Sequence, residues 1–215
     1  MPTVLSTKKL ALNQKELLLN AGIGLVEYNA IKITFTNFTT DNKKIENAIF
    51  TSKNAVEAIL KKDLVVEHCF CVGEKTAALL TKNGFRITEI TENSEELATR
   101  LIEKHANRQF HFFCGNKRRD ELPEMLKERK ISFSEIQVYE TDLNLKEFQS
   151  DFDGVMFFSP SAVQSFTKMN QLTGPAFCIG PTTAEEAAKY TDKVLVATKP
   201  GIENVIAKVV VYFKN

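Results

Sequence analysis

Two separated motifs recur along this chain with one common spacing. The segment Phe50–Val56 resembles Phe157–Val163, and Cys71–Ala77 resembles Cys178–Ala184, each pair at an offset of 107 residues. Because two motifs share one offset without a gap, we predict an internal duplication. The chain is therefore expected to contain two similar halves.

Two weaker matches extend this repeat. Asn93–Ala98 aligns with Pro200–Val205 at the same offset, and Leu18–Ile23 aligns with Leu126–Ile131 after one residue of slip. Each lobe would then take about half of the chain. Two such lobes predict a cleft between them, where ligands usually bind.

Short apolar runs alternate with helical patterns along nearly the whole length, which is typical of βα units around mostly parallel sheets. The strand-like runs are residues 3–6, 25–35, 48–51, 69–72, 86–90, 110–113, 133–140, 154–158, 176–179 and 194–197. We therefore predict an α/β fold of two similar lobes, each a mostly parallel sheet flanked by helices.

Several residues predict where helices begin. The spacing of Asn13 and Glu16 indicates a capping box for the first helix, and Ser94 is expected to cap another. Pro160 and Pro181 suit the first position of a helix. These signals place helix starts directly after several of the strands.

The charges of the chain nearly cancel. Lys and Arg total 28 against 27 Asp and Glu, which gives a net charge of +1 and no global basic field for nucleic acid or a membrane surface. The amino terminus has no apolar segment of secretory length, and no other stretch approaches the ~18 uncharged residues of a spanning helix. We expect a cytoplasmic protein that binds neither nucleic acid nor membrane.

The sequence carries no recognisable cofactor or metal motif. Its cysteines lack C-x-x-C spacing, and its histidines form no i, i+4 pair. Gly22 follows a helix and lacks a third glycine, so we predict a helix C-cap and not a dinucleotide fingerprint. P-loop, nucleophile-elbow and zincin motifs are also absent. We expect no cofactor, and structural, reduced thiols at Cys69, Cys71, Cys114 and Cys178.

Each copy of the repeat places a small polar residue where a strand ends and a helix begins. Ser52 and Ser159 stand at the first such junction, and Gly73 and Gly180 stand at the second. In open α/β sheets this carboxyl edge binds ligands against helix N-termini, whose unpaired N–H groups carry partial positive charge. The pattern predicts a receptor for an anionic ligand. Ordinary helix caps and tight turns explain the same residues without a ligand, and that alternative stays open.

Four segments, taken in order, resemble the uroporphyrinogen-III synthase family. They are Phe113–Pro123, Val138–Thr141, Phe157–Val163 and Ile179–Ala184. Each is short, but their order and spacing together are specific, and Ile49–Ser52 with Gly73-x-x-Thr76-Ala77 fits the family's first lobe. The resemblance covers almost the full length, although the first 30 residues match in pattern alone.

The resemblance implies an interleaved chain. One lobe would be continuous over residues 36–139, and the other would combine residues 1–33 with residues 142–215. Crossing strands at about residues 31–36 and 136–141 would form a two-strand linker between the lobes. The duplication alone fits a simple tandem equally well, so this arrangement rests on the resemblance.

The resemblance also implies an activity. Family members cyclise hydroxymethylbilane, a linear tetrapyrrole with several carboxylates, to uroporphyrinogen III in haem biosynthesis, without a cofactor. Loss of the terminal hydroxyl as water gives an azafulvenium cation, and a spiro intermediate then allows ring D to invert. Closure without inversion competes, so the enzyme must hold ring D in the productive pose.

Roles for individual residues follow from the same resemblance. Tyr139 would assist departure of the hydroxyl through a phenolic hydrogen bond, and Thr76 would contact a substrate carboxylate. The alternatives are that Tyr139 packs a hinge and that Thr76 caps a helix. The residues predicted to bind substrate, several of them mainly through backbone N–H groups, are Ser52, Gly73, Gly115, Asn116, Lys117, Arg119, Ser159, Ser161, Gly180, Thr182 and Thr183. The basic turn among them could instead face solvent.

Two rival functions remain at this point. A non-catalytic two-lobed protein that closes on an acidic small molecule would show the same repeat. A nucleotide-dependent enzyme is disfavoured by the missing phosphate motifs. We expect a monomer with a small-molecule substrate.

Overall fold

The computed structural model describes residues 1–214, within which it has eleven strands and eight helices. The strands are β1 (Thr3–Ser6), β2 (Gly24–Glu27), β3 (Ile31–Phe35), β4 (Lys44–Phe50), β5 (Val65–Val72), β6 (Ile87–Thr91), β7 (Gln109–Gly115), β8 (Ser132–Leu143), β9 (Gly154–Phe157), β10 (Ala176–Cys178) and β11 (Val194–Val196). The helices are α1 (Leu12–Leu19), α2 (Lys53–Ile59), α3 (Glu74–Lys82), α4 (Ser94–Lys104), α5 (Glu121–Glu128), α6 (Pro160–Thr167), α7 (Pro181–Ala187) and α8 (Ile202–Lys214). None of the helices in residues 1–214 combines the length and apolar character needed to span a bilayer.

The chain divides into two compact units. The first combines Met1–Lys32 with Asp142–Asn215, and the second is Ile33–Thr141. Both boundaries fall inside strands, so the chain passes from one unit to the other within β3 and again within β8.

The second unit is built on a six-stranded sheet in the order β3-β8-β7-β4-β5-β6. From β8 to β6, neighbouring strands pair in parallel. Helices α2 and α3 cover one face and α4 and α5 cover the other, so both faces are buried and the C-terminal halves of β4, β5 and β7 are apolar. Phe50 stacks on Phe113 on one face with ring centroids 5.5 Å apart, and Phe70 meets Phe110 edge-on at 5.2 Å on the other.

The first unit has a five-stranded sheet in the order β11-β10-β9-β1-β2, and all of its neighbouring strands are parallel. Alternate residues again face opposite sides. Leu5 and Phe157 pack with α6 and α7 on one face, whereas Val4 and Phe177 pack with α1 and α8 on the other.

The two units share one design, which confirms the duplication. The order β2-β1-β9-β10-β11 in the first unit corresponds to β8-β7-β4-β5-β6 in the second. Ser159 and Ser52 are the N-caps of α6 and α2, and Gly180 and Gly73 are the N-caps of α7 and α3. The predicted fold of two similar α/β lobes is confirmed.

The repeat extends to the ends of α1 and α5. Gly22 has a φ of 75°, and Lys130 has a φ of 55°, the one positive φ at a non-glycine residue in the described part of the chain. The N–H of Ile23 then donates to the Leu18 carbonyl at 3.1 Å, and the corresponding bond after Lys130 is 2.9 Å long. Both ends are Schellman motifs, so the prediction of a C-cap at Gly22 is confirmed.

Replacing Lys130 by glycine is expected to stabilise the protein by about 1 kcal/mol, because the left-handed conformation strains any residue with a Cβ. Urea unfolding of Lys130→Gly and the parent measures the difference. The matched variant Gly22→Ala should lose a comparable free energy of unfolding. A destabilised Lys130→Gly would show that its lysine side chain, and not the backbone, dominates at this position.

The apolar run 25–35, predicted as one strand, is split into β2 and β3, which lie in different sheets. Residues 28–30 separate them. The N–H groups of Tyr28 and Ala30 donate to the carbonyls of Ser6 and Thr7 at 3.1 and 3.0 Å. The Asn29 carbonyl accepts from the Asn144 side chain at 2.6 Å. These hydrogen bonds satisfy backbone N–H and carbonyl groups at the point where the chain leaves the first sheet.

The predicted capping box at the start of α1 is wrong. The helix begins one residue before Asn13, and the side chain of Gln14 accepts a hydrogen bond from the Ala11 N–H at 3.0 Å. Glutamine three residues after the cap makes the reach-back bond that had been assigned to Glu16.

The other helix starts are mostly as predicted. Pro160 and Pro181 are the first residues of α6 and α7. Helix α4, however, is capped by Asn93, whose Oδ1 accepts from the Glu96 N–H at 2.8 Å, and Ser94 is its first helical residue. The asparagine one position earlier has the reach that N-capping requires.

Candidate active site

A cavity of about 340 Å³ lies within the second unit, where β4, β5 and β7 end and α2, α4 and α5 begin. It is lined by Thr51, Ser52, Val72, Glu92, Asn93, Ser94, Phe112, Lys117, Arg118, Arg119, Leu122 and Tyr139. Four of the predicted site residues therefore share one cavity: Ser52, Lys117, Arg119 and Tyr139. The cavity occupies the carboxyl edge of a parallel sheet, which is where ligands bind in open α/β folds.

Ser52 caps α2 with its side chain, because its Oγ accepts from the Asn54 N–H at 3.1 Å. Ser159 does the same for α6, with its Oγ 3.1 Å from the Ala162 N–H. These hydroxyl oxygens satisfy N–H groups of their own helices. Each serine hydroxyl still has its own O–H to donate to a ligand, beside the free main-chain N–H groups at the helix start.

The turn after β7 brings three basic side chains to the cavity. Lys117 and Arg119 are exposed and form no ion pair within residues 1–214. Arg118 is held by ion pairs to Asp120 and Glu135. Two uncompensated cations therefore remain available to an anionic ligand, whereas the third is already neutralised.

Asn116 ties this turn to β8. Its Oδ1 accepts from the Thr141 N–H at 2.9 Å, and its own N–H donates to the Tyr139 carbonyl at 3.3 Å. The amide oxygen is thus already engaged. Asn116 does not line the cavity, and its predicted contact with substrate stays a prediction.

Tyr139 is half-buried on β8, where its ring packs against the core residues that α2 and α3 cover. Within the described chain its hydroxyl has no hydrogen-bond partner. Gly115, at the end of β7, lies directly beneath the ring, as the register of the two strands pairs them. A free phenolic hydroxyl in a polar cavity can donate a hydrogen bond to a ligand oxygen.

Thr76 and Thr183 occupy equivalent positions in the first turns of α3 and α7. Their side chains are only 5% and 2% exposed. Their N–H groups donate to the carbonyls of Gly73 and Gly180 at 3.0 and 3.1 Å. The Thr183 N–H, predicted to bind a carboxylate, is therefore engaged inside its own turn, and Thr76 lies outside the lining of the cavity.

The two junction glycines differ in conformation. Gly73 has a φ of 82°, and its N–H donates to the Thr91 carbonyl at 2.8 Å. Gly180 is extended, with a φ of −172°, and a Cβ built on it meets no atom within 4 Å. Any residue adopts this extended conformation. Only Gly73 needs glycine for its backbone.

Ser161 and Thr182 follow the prolines that open α6 and α7. Because these prolines have no N–H, the first main-chain donors of both helices belong to these two residues. Neither N–H is hydrogen-bonded in the part of the chain that the structure describes. Both N–H groups are therefore free to donate to an anion.

Several lining residues were missed from the sequence. Thr51, Asn93, Ser94 and Arg118 reach the cavity, although Ser94 had been considered only as a helix cap. The junction of β6 with α4 is a further strand-to-helix turn at the same edge. The weak repeat over residues 93–98 was the signal that could have found it.

All four cysteines are buried and free. Burial raises the pKa of Cys69 to about 12 and of Cys71 to about 11. Burial likewise raises the pKa of Cys114 to about 11 and of Cys178 to about 12. They stay protonated at neutral pH and cannot serve as nucleophiles. Residues 1–214 contain no group of three or more His, Cys, Asp or Glu side chains arranged to hold a metal ion.

Parallel sheets with polar and basic groups at their carboxyl ends place the chain among α/β enzymes that bind small molecules at that edge. The family model for uroporphyrinogen-III synthase HemD matches residues 13–207. The chain therefore belongs to the uroporphyrinogen-III synthase family, and the resemblance found in the sequence is confirmed.

Solved structures have the same fold. Uroporphyrinogen-III synthetase from Helicobacter pylori is 19% identical, with a TM-score of 0.75, over 99% of this chain and 100% of that one. A mutant uroporphyrinogen III synthase from Thermus thermophilus is 11% identical, with a TM-score of 0.63, over 100% of this chain and 99% of that one. At such identities the likeness concerns the fold alone.

Proposed function

We propose that the cavity of the second unit binds part of hydroxymethylbilane and that Tyr139 assists loss of its terminal hydroxyl. The activity is that of the family, cyclisation of this linear tetrapyrrole to uroporphyrinogen III with release of water and inversion of ring D, in haem biosynthesis. The observation that carries the proposal is the convergence of Ser52, Lys117, Arg119 and Tyr139 on one cavity.

The size of the cavity supports binding of one end of the substrate. At about 340 Å³ it is near the lower limit of ligand pockets, which are roughly 300–1,000 Å³. A linear tetrapyrrole exceeds this volume. We therefore assign to the cavity the end that carries the leaving hydroxyl, because Tyr139 lines it.

The basic side chains of the cavity, which outnumber its carboxylate Glu92, suit a substrate that bears carboxylates. Lys117 and Arg119 can form charge-assisted hydrogen bonds with acid groups, and the start of α2 adds main-chain donors. In the first unit we propose the same duty for Ser161 and Thr182, beside Ser159 and Gly180. Direct roles for Gly73, Thr76 and Thr183 have less support, because their nearest N–H groups are engaged within the turns.

The reaction needs little from the protein beyond correct positioning of the substrate and polar groups near the developing charge. A hydrogen bond from the Tyr139 hydroxyl to the leaving oxygen stabilises the charge that develops as the C–O bond breaks. The departing hydroxyl takes up a proton and leaves as water, and the azafulvenium cation remains. The substituted carbon of ring D then attacks, and the spiro intermediate fragments and recloses with that ring inverted. The proton lost from ring D on reclosure balances the proton taken up with the departing hydroxyl.

The rival interpretation, a non-catalytic binding protein for an acidic ligand, is not favoured, because the chain belongs to a family of synthases. We propose a reducing, cytoplasmic setting, in keeping with four free cysteines. A monomer remains our expectation. We also propose that segments 31–36 and 136–141 serve as the linker between the two lobes.

Purified protein, supplied with freshly generated hydroxymethylbilane and neither metal nor nucleotide, is expected to form mainly the III isomer. The products are separated by isomer after oxidation to porphyrins. The enzyme-free reaction, which closes without inversion, is the control. Product no richer in isomer III than this control would refute the proposed function.

A further inference from the structure

The ring of Tyr139 lies against the Cα of Gly115. A Cβ built on Gly115 would be 2.5 Å from both Cε2 and Cζ of the tyrosine and 2.9 Å from its hydroxyl oxygen. Ordinary contacts between carbon atoms are about 3.5–4.0 Å long. No other residue type fits at position 115 while the ring stays where it is.

The register of β7 and β8 shifts between Cys114 and Gly115, so that Gly115 pairs with Tyr139. The next residue fixes the strand beyond this irregularity. Asn116 donates its N–H to the Tyr139 carbonyl and accepts from the Thr141 N–H through Oδ1, at 3.3 and 2.9 Å. The backbone that follows the Cα of Tyr139 is thereby held.

We propose that Gly115 and Asn116 are positioning residues for Tyr139 and not ligands of the substrate, an inference that rests on the proposed role of that tyrosine. Gly115 provides the space that sets the ring orientation, and Asn116 fixes the strand that carries it. Packing must set the orientation of the ring, because its hydroxyl has no hydrogen bond within residues 1–214. A phenol free to donate is useful only if its direction is fixed beforehand.

Alanine at position 115 would force the ring to move by about 1 Å to restore normal contacts. A displacement of that size at a reacting group can cost about a hundredfold in rate. We therefore expect Gly115→Ala to lower kcat by about ten- to hundredfold and to change KM by less than about threefold. A residue that bound substrate carboxylate would instead raise KM.

The decisive experiment combines Gly115→Ala with Tyr139→Phe. Phenylalanine keeps the ring that alanine crowds but removes the hydroxyl that Gly115 is inferred to direct. If Gly115 acts through this hydroxyl, the double variant should be no slower than the slower single variant, within about threefold. If the losses of rate in the two single variants multiply in the double variant, the two residues act independently and the inference is overturned.

Gly154 offers a matched control in the first unit. A Cβ there would be 2.7 Å from the ring of Phe177, so Gly154→Ala also crowds an aromatic side chain. We expect Gly154→Ala to lower the melting temperature but leave kcat unchanged in the folded protein. Equal loss of kcat in both alanine variants would mean that general destabilisation, and not the position of Tyr139, is responsible.

Asn116 gives a second test. Asn116→Ala removes the acceptor for the Thr141 N–H and should lower kcat, whereas Asn116→Asp keeps an acceptor oxygen and should retain kcat, with KM raised by its added negative charge. The activity of the parent protein distinguishes the proposed function from the present inference. Failure of the parent to form isomer III refutes the proposed function and this inference with it, whereas an active parent with unimpaired Gly115→Ala refutes the inference alone.

Discussion

Replacing Tyr139 by phenylalanine is expected to lower turnover of hydroxymethylbilane by about ten- to hundredfold. A positioned proton donor typically contributes ~10²–10⁴-fold, and the effect is smaller here because the terminal hydroxyl leaves readily. The variant keeps the ring that packs on Gly115 and loses only a hydroxyl that has no partner in the described chain. The rate and the isomer ratio are measured together.

The free energy of unfolding should stay within about 0.5 kcal/mol of the parent, as no buried hydrogen bond is lost. Circular dichroism melting checks this point. If the folded Tyr139→Phe variant keeps the full rate, the proposed catalytic role is wrong and the tyrosine serves in packing. Product formed at a lower rate but with the same isomer ratio would indicate that the hydroxyl acts on departure of water and not on the pose of ring D.

A valine at Gly180 is expected to reduce turnover by about a hundredfold or more without unfolding the protein. The extended backbone accepts a side chain, and the space around it is free of protein atoms. A branched side chain would occupy the approach to the Thr182 N–H, where a substrate carboxylate is proposed to bind. Loss of two charge-assisted hydrogen bonds, at about 1.5–3 kcal/mol each, accounts for a defect of that size.

Single side-chain deletions at this edge should cost far less. Ser159→Ala, Thr182→Ala and Thr76→Ala are each expected to reduce turnover about tenfold or less, because the main-chain donors remain. Gly180→Ala should lie between these variants and Gly180→Val. An inactive, folded alanine variant beside an active Gly180→Val would show that a side-chain catalyst, and not a backbone receptor, operates in the first unit.

The repeat made the strand-to-helix junctions predictable. The offset of 107 residues placed Ser52 with Ser159 and Gly73 with Gly180, and the structure makes all four N-caps. These features depend on residues close together in the chain, where one residue and its next few neighbours decide the geometry. Two copies of each motif supplied the same signal twice.

Other features depend on contacts that no local pattern contains. The run 25–35 continues as apolar residues through the point where the chain changes sheets, and bonds to Ser6, Thr7 and Asn144 decide where the break falls. Whether Gly73 or Gly180 has a positive φ is equally hidden. In the structure the Gly73 N–H donates to the carbonyl of a residue distant in the sequence, Thr91.

Gly115 shows how a glycine can have a structural reason that the sequence does not reveal. The family resemblance implies that Gly115 contacts substrate, and this contact stays a prediction. The reason for glycine there is the ring of Tyr139, which stands on the neighbouring strand. Close packing across two strands appears in the sequence only as a glycine at a strand end, which has several possible causes.

The distribution of the cysteines gives each unit its own chemical probe. Cys178 is the one cysteine of the first unit, and the other three belong to the second. A buried, protonated thiol is modified only when the surrounding structure opens, so its labelling rate follows the local opening equilibrium. Mass spectrometry of peptides from one alkylated sample therefore distinguishes the opening free energies of the two units, without any engineered residue or dye.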